Sequence, residues 1–214
     1  MYSFYALHAL TPDEATIRRI ANSVQNGAVI AYPTDTGMAL GCALRNKEGI
    51  DRIRALREIP RKQSMTFLCD SLAHIADYAV VSDKAFRMMK KLTPGPFTFI
   101  LPATKNVPVF AHDPKRKSVG IRIPRSHIAR ALLHALDEPL ISISAKSREG
   151  GEYSSWEECV EDMQSRVDAC VGIDDVSDPA HSLGSEASTI VDMSGRDFLI
   201  VRYGAQSDDV EALL

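Results

Sequence analysis

The sequence has no CxxC pair. Its four cysteines, Cys42, Cys69, Cys159 and Cys170, stand apart, and its six histidines are scattered. Zinc sites draw on local ligand pairs, so no protein-bound metal is expected. Isolated cysteines read as small core residues in a reducing compartment. No run approaches the roughly 20 apolar residues of a membrane span. Met1 to Leu10 lacks the basic and apolar regions of a signal peptide. A soluble, cytoplasmic protein is the expectation. GxGxxG and GxxxxGK followed by Ser or Thr are both missing, which removes the common phosphate cradles. GxSxG is missing too, so a Ser-His-Asp triad has no elbow to stand on.

Cations are scarce in the last third of the chain. Residues 149–214 hold 3 Lys/Arg against 16 Asp/Glu, a balance of −13. Residues 1–148 hold 22 against 12, a balance of +10, and the whole chain carries −3. A net negative charge argues against general nucleic-acid binding, whereas the asymmetry points to an anionic ligand on the first part. Solvated helix faces that differ in sign would give the same count.

What is present is an interleaving of strands and helices over 214 residues, enough for one domain spanning 1–214. Thr11-Pro12-Asp13-Glu14 reads as a helix start, with Thr11 the cap and Glu14 completing a capping box. Ile17, Ile20, Ala21 and Val24 follow at helical spacing, and Gly27 stops the helix. Strands are expected over 28–32, 38–44, 65–69, 97–101, 119–123, 139–144, 188–193 and 198–202, with a further one around Val171. Helices are expected over 48–56, 82–92, 128–136 and 156–167. Asp174 to Ala187 reads as a long loop or lid. The pattern predicts an α/β fold, a mixed parallel and antiparallel sheet with helices on both faces.

Candidate ligand groups cluster near strand ends, where α/β sheets bind ligands. Tyr32-Pro33-Thr34-Asp35-Thr36-Gly37 offers two hydroxyls and a carboxylate, or else a tight turn that satisfies its own backbone. Arg52, Arg54, Arg57, Arg61 and Lys62 crowd one helix and the turn after it, and guanidinium forks suit phosphates. Arg122 sits inside an apolar strand, where a charge has a partner or a ligand. Ser142-Ile143-Ser144-Ala145-Lys146-Ser147 ends a strand with hydroxyls and an ammonium. Ser188-Thr189 begins a strand and Arg202 ends one. Together these suit an anionic ligand such as a nucleoside triphosphate or an RNA backbone.

The motifs Tyr-Pro-Thr-Asp-Thr-Gly (32–37), Pro-Gly-Pro-Phe-Thr (94–98), Val-Gly-Ile-Arg-Ile-Pro (119–124), Ser-Ala-Lys-Ser (144–147), Ser-Thr-Ile-Val-Asp (188–192) and Arg-Tyr-Gly-Ala (202–205), in this order, resemble the YrdC/YciO family. The resemblance covers nearly the whole chain, and Arg-Ala-Leu-Arg-Glu-Ile-Pro (54–60) is closer to the YciO branch. It implies a YrdC-like twisted sheet with a basic concave surface. In the synthase branch that pocket takes ATP, L-threonine and bicarbonate, with Mg2+ on the triphosphate, and makes the threonylcarbamoyl-AMP used in tRNA modification. The resemblance implies Thr34, Thr36, Arg122 and Ser188 facing threonine. It implies Arg57, Ser118, Ser142, Ser144, Lys146 and Arg202 along the nucleotide.

The chain departs from the synthase pattern twice. The family's Lys-x-Arg falls on Arg57-Glu58-Ile59, which loses one cation, and its Ser-x-Asn falls on Ser144-Ala145-Lys146, which gains one. Lys146 replacing the lost charge is the expectation. Two functions follow: an enzyme of the threonylcarbamoyl-AMP synthase type, or a protein that binds double-stranded RNA or tRNA without chemistry. The Lys115-Arg116-Lys117 loop favours the second. Steep salt dependence separates the two.

Overall fold

The computed structural model describes residues 2–60, 63, 65–111, 115–174 and 186–214. Arg61, Lys62 and most of the anticipated lid over 174–187 lie outside the described residues.

Ten strands form one mixed sheet in the order β1-β8-β2-β3-β7-β4-β6-β5-β9-β10. In chain order these are β1 (Ser3–Leu7), β2 (Ile30–Thr34), β3 (Gly37–Ala43), β4 (Thr66–Leu68), β5 (Phe97–Pro102), β6 (Ser118–Arg122), β7 (Leu140–Ser144), β8 (Ala169–Ile173), β9 (Thr189–Asp192) and β10 (Leu199–Arg202). The helices are α1 (Glu14–Gln25), α2 (Lys47–Leu56), α3 (Leu72–Tyr78), α4 (Asp83–Leu92), α5 (His127–Leu136), α6 (Trp156–Met163) and α7 (Ser207–Glu211). The α/β class and the mixed sheet agree with the sequence expectation, and several details differ. Met1 to Leu10 contains an edge strand, β1, paired in parallel with β8. Thr11 does not cap α1, because its hydroxyl lies 3.0 Å from His8 Nδ1. Asp13 caps instead, its carboxylate accepting the Thr16 N–H at 2.8 Å. Helix α6 ends at Met163 rather than Val167, and α3 and α7 were not anticipated.

Side chains alternate faces along each strand, and directly paired residues share one. One face packs against α2, α3, α4 and α6 through Ile50, Ile53, Ile75, Met88, Met89, Cys159 and Met163, with Phe67, Phe99 and Ile121 from the strands. The other face is roofed by α1 and α5, whose Ile17, Ile20, Val24, Ile128, Leu132 and Leu136 pack on Ile30, Tyr32, Ala39, Leu140, Ala169 and Val171. Helices therefore lie on both faces, but the second roof covers only part of its face. Beyond Leu68 of β4, the alternation puts Thr66, Thr98, Ser118, Gly120 and Arg122 on that face in place of packed aliphatics.

Candidate ligand-binding site

The unroofed part of the sheet carries a cavity of about 160 Å3. Thr34, Thr36, Thr66, Thr98, Arg122, Ser142, Ser144, Ser188 and Arg202 supply its polar lining. Thr34, Arg122, Ser144 and Arg202 end β2, β6, β7 and β10, in line with the strand-end expectation, and the register sets these ends diagonally across one face. Arg122 stands level with Leu68, Leu140 and, through them, Ala43, the end of β3 remote from Gly37. Yet Arg122 Nη1 donates to Thr36 Oγ1 at 2.6 Å. The sheet's twist and the reach of the β2–β3 hairpin bring the two together.

The hairpin tip is held by its own hydroxyls. Thr34 Oγ1 donates to Gly37 O at 2.8 Å and accepts from the Thr36 N–H at 3.2 Å. Gly37 has φ +113°, a conformation that favours glycine. Asp35 Oδ1 accepts the Arg125 N–H at 3.1 Å and lies 2.8 Å from Arg122 Nη2. That contact is an ion pair by distance but lacks hydrogen-bond geometry, and both Arg122 Nη2 and Asp35 Oδ2 are buried without a hydrogen-bond partner. Arg122 Nε reaches Gly95 O at 3.3 Å, so Thr36, Gly95 and Asp35 together hold the buried guanidinium at the cavity wall.

Two hydroxyl pairs furnish the floor. Tyr32 Oη and Ser142 Oγ lie 2.7 Å apart, and burial pushes the Tyr32 phenol well above its usual range, so it stays neutral. Thr98 Oγ1 and Ser188 Oγ lie 2.9 Å apart. Arg202 clamps Ser188, with Nη2 donating to its carbonyl at 2.7 Å and its hydroxyl at 2.9 Å. A bulge between Ile200 and Arg202 aims Arg202 this way.

The remaining sequence-predicted residues are dispersed. Arg57 does not line the cavity, and its Nε donates to Ser144 O at 2.6 Å. Lys146 is ion-paired with Glu152. Burial pulls the Arg57 and Arg202 guanidinium groups below their usual range, and the Glu152 carboxylate pulls both the other way. Ser118 is buried at the opposite end of β6 from Arg122. Lys115, Arg116 and Lys117 are exposed just before it, Arg116 lying 3.7 Å from Asp192. Ile59 packs against the core and so presents no group to the cavity. The sequence reading did not single out Thr66, Thr98 or Glu152 as ligand groups. For Thr66 and Thr98 the signal was a hydroxyl in a short apolar strand; Glu152 carried no signal within its loop.

Among the described residues, no group of three or more His, Cys, Asp or Glu could hold a metal ion. All four cysteines are free and buried, and burial pushes the Cys42 and Cys69 thiols up to about 12. Neither is a thiolate nucleophile near neutral pH. No described helix is long and apolar enough to cross a membrane.

Residues 22–204 match the Sua5/YciO/YrdC family, described as telomere recombination, and the chain belongs to it. It is 37% identical over 206 residues to the uncharacterized protein YciO of Escherichia coli K12, covering 95% of this chain and 96% of that one. It is 29% identical over 156 residues to a threonylcarbamoyl-AMP synthase of Halorhodospira halophila, covering 72% and 81%. The E. coli YciO crystal structure superposes with a TM-score of 0.87 at 36% identity over 96% of this chain and 97% of that one. The P. abyssi Sua5 complex with L-threonine superposes at 0.83 and 20% identity, covering all of this chain and 61% of the other, a likeness of fold.

Proposed function

We propose that the cavity is an amino-acid subsite for L-threonine, and that the chain carries out a step of the threonylcarbamoyl-AMP synthase type with ATP and bicarbonate. The observation that carries this reading is the Arg122 guanidinium, buried in the cavity lining beside the Thr34 and Thr36 hydroxyls with Asp35 as its counter-ion 2.8 Å from Nη2. A carboxylate is the ligand group to which a guanidinium donates best. About 160 Å3 is below the 300–1,000 Å3 of sites for drug-sized ligands, so the cavity suits an amino acid and not a whole nucleotide. The nucleotide would extend from it past Ser142 and Ser144 toward Arg57 and Arg202. The L-threonine complex of a Sua5 with the same fold supports the ligand class.

The chemistry asks for positioning and charge neutralisation more than for a general base. Threonine's amine takes up CO2 as a carbamate, whose oxygen attacks the α-phosphate of ATP and expels pyrophosphate. Arg122 and the threonine hydroxyls would orient the amino acid, while Arg202 and Arg57 would offset phosphate charge. Mg2+ would be carried by the triphosphate, which suits a site with no carboxylate cluster among the described residues. Bound there, it would neutralise phosphate charge.

The test is pyrophosphate release from ATP with Mg2+ and bicarbonate, with and without L-threonine. Threonine-dependent release that disappears in both Arg122→Ala and a folded Arg122→Lys variant supports the reading. Release that ignores threonine, or none at high enzyme, overturns it. The alternative is RNA binding without chemistry at the exposed Lys115–Lys117 turn. It would show as salt-sensitive tRNA binding lost on Lys115→Glu/Lys117→Glu.

A further inference from the structure

The two edges of the sheet are finished differently. At one edge, the aromatic side chains of β1 are covered by the chain itself. Phe4 stacks on Trp156 with 6.1 Å between ring centroids, and Arg19 lies over the Tyr5 ring at 5.5 Å. The other edge, β10, pairs with β9 alone. There Leu199, Val201 and Tyr203 are 62%, 53% and 64% exposed. Edge strands are ordinarily blunted by lysine, proline or a bulge, because their outer N–H and C=O groups invite another strand. The run Leu199-Ile200-Val201-Arg202-Tyr203 has neither lysine nor proline. Its bulge after Ile200 leaves Val201 outside, while its single charge, Arg202, is turned to Ser188. Among the described residues, no backbone group of 199–203 bonds to another backbone group beyond the ladder with β9.

Charge is laid out along β10 with a direction. At its start, Lys84 of α4 lies over the ring of Phe198, 4.4 Å from the centroid, and among the described residues no ion pair engages it. Arg87, one helical turn on, is exposed as well. Arg196 and Asp197, exposed in the turn before β10, offset each other in charge. At the finish of β10, the Glu211 carboxylate of α7 acts on the Tyr203 hydroxyl and pushes that phenol up. Asp208 and Asp209 stand exposed on the same helix. Both α4 and α7 lie on one face of the sheet, with Met88, Met89 and Val210 buried in a single core. The edge thus runs from a basic end to an acidic end with an apolar strip between. A twofold axis perpendicular to the sheet sets a second β10 antiparallel to the first. The Lys84 end of each copy then meets the Asp208, Asp209 and Glu211 end of the other, and the two apolar strips cover one another. A twofold contact needs a surface complementary to itself, and this order of charges provides one.

We propose that the β10 edge is the contact surface of a homodimer, in which two copies of this chain pair their β10 strands antiparallel about a twofold axis and continue the sheet across the joint. Burial of Leu199, Val201 and Tyr203 holds the copies together, the outer backbone groups of each edge find partners in the other, and the opposite charges at both ends fix the register. Arg202 lies on the paired strand and holds Ser188 at the cavity wall, so each cavity opens beside the joint. What the cavity binds has no part in the contact.

The test is sedimentation velocity of the full chain from about 1 to 100 μM, where a dimer that dissociates on dilution is expected. Val201→Glu should be monomeric throughout, because two carboxylates would be brought unpaired into the joint. Two further variants reverse the charge of one end each: K84E/R87E makes the basic end acidic, and D208K/E211K makes the acidic end basic. Either variant alone sets like charges together at both ends of the joint and should weaken dimerisation at least about 10-fold. Mixed in equal amounts, the two should form a heterodimer, since opposite charges then meet at both ends again. That recovery also shows that both variants are folded, and unchanged circular dichroism serves the same purpose for Val201→Glu. A chain monomeric at the highest concentration would leave the edge to a different partner and overturns the proposal. A dimer that survives Val201→Glu, or a mixture that stays monomeric, overturns it as well.

Discussion

Arg122 Nη1 and Thr36 Oγ1 lie 2.6 Å apart although 86 residues separate them in sequence. This bond pins the β2–β3 hairpin to the end of β6 and so shapes the cavity from both sides. Arg122→Lys keeps the charge and loses the fork, since an ammonium cannot serve Thr36, Gly95 and a ligand carboxylate in one plane. Threonine affinity should fall at least about 10-fold, by the roughly 1.5–3 kcal/mol of a charged hydrogen bond. Arg122→Ala leaves Asp35 buried without its cation and should destabilise by about 3–5 kcal/mol. Calorimetric threonine titration and thermal unfolding read the two effects separately.

The Tyr32–Ser142 pair predicts a different outcome. Tyr32 is fully buried, and its phenol is held neutral by burial. Tyr32→Phe removes the partner of Ser142 Oγ and should cost about 1–2 kcal/mol by denaturant unfolding. The double change Tyr32→Phe/Ser142→Ala should recover part of that loss, because no buried hydroxyl is then left unpaired. A double variant less stable than the sum of the single ones would contradict the pairing.

Glu152 sits against Lys146 and exerts its field on Arg57 and Arg202. Glu152→Gln frees Lys146 and takes one negative charge from the path proposed for the nucleotide. ATP affinity should rise about threefold or more, equivalent to roughly 0.7 kcal/mol. Lys146→Asn alone should change it little, because that ammonium is already neutralised by its partner. A titration in which Lys146→Asn abolishes ATP binding would restore Lys146 to the role expected of it from the sequence.

Asp168 predicts a pH dependence. It takes a two-pronged contact from Arg52, at 2.7 and 3.3 Å, and the Val29 N–H at 2.7 Å. Burial opposes ionisation, but the Arg52 and Val29 hydrogen bonds and the Arg52 charge prevail and hold the carboxyl below its ordinary value. A folded-state value below the unfolded one contributes stability that is present above the unfolded value of about 3.9 and disappears as pH falls through the folded value. Asp168→Asn should therefore lower the melting temperature at pH 7 by an amount matching about 0.5–1 kcal/mol, since the pair is half-exposed. The gap from the parent should close as pH falls below about 4. A gap that is constant from pH 7 to pH 3 would count against an ionic role.

Much of the element pattern was legible because burial imposes periodicity. Ile17, Ile20, Ala21 and Val24 announce α1, and the apolar stretches around Ile30, Phe99 and Ile141 announce strands. Other parts were not. β1 alternates burial over five residues whose types do not alternate in polarity, and its place is set by pairing with β8, more than 160 residues away. The α1 cap moved because His8, in the preceding turn, engages Thr11. For the site, the local motifs pointed to the right hydroxyls and cations, but not to their geometry. Ser118 and Arg122 belong to one short strand and one strand face, yet Arg122 stands at the cavity and Ser118 at the far end of β6. Ile59 and Lys146 read as departures from the family pattern, one losing a cation and the other gaining one. One points into the core and the other meets Glu152, and only tertiary packing decides which.

The roof of α1 and α5 ends where Leu68 does, so one half of the same sheet face is fixed by aliphatic packing and the other is furnished with small hydroxyl side chains. Thr66 makes no side-chain hydrogen bond among the described residues, unlike Thr98, which is tied to Ser188. Exchange of Thr66 for Val, Ser or Ala alters what the bench of the sheet can hold without removing a strut from the walls. This architecture can accumulate new ligand preferences, one hydroxyl at a time, while its melting temperature barely moves.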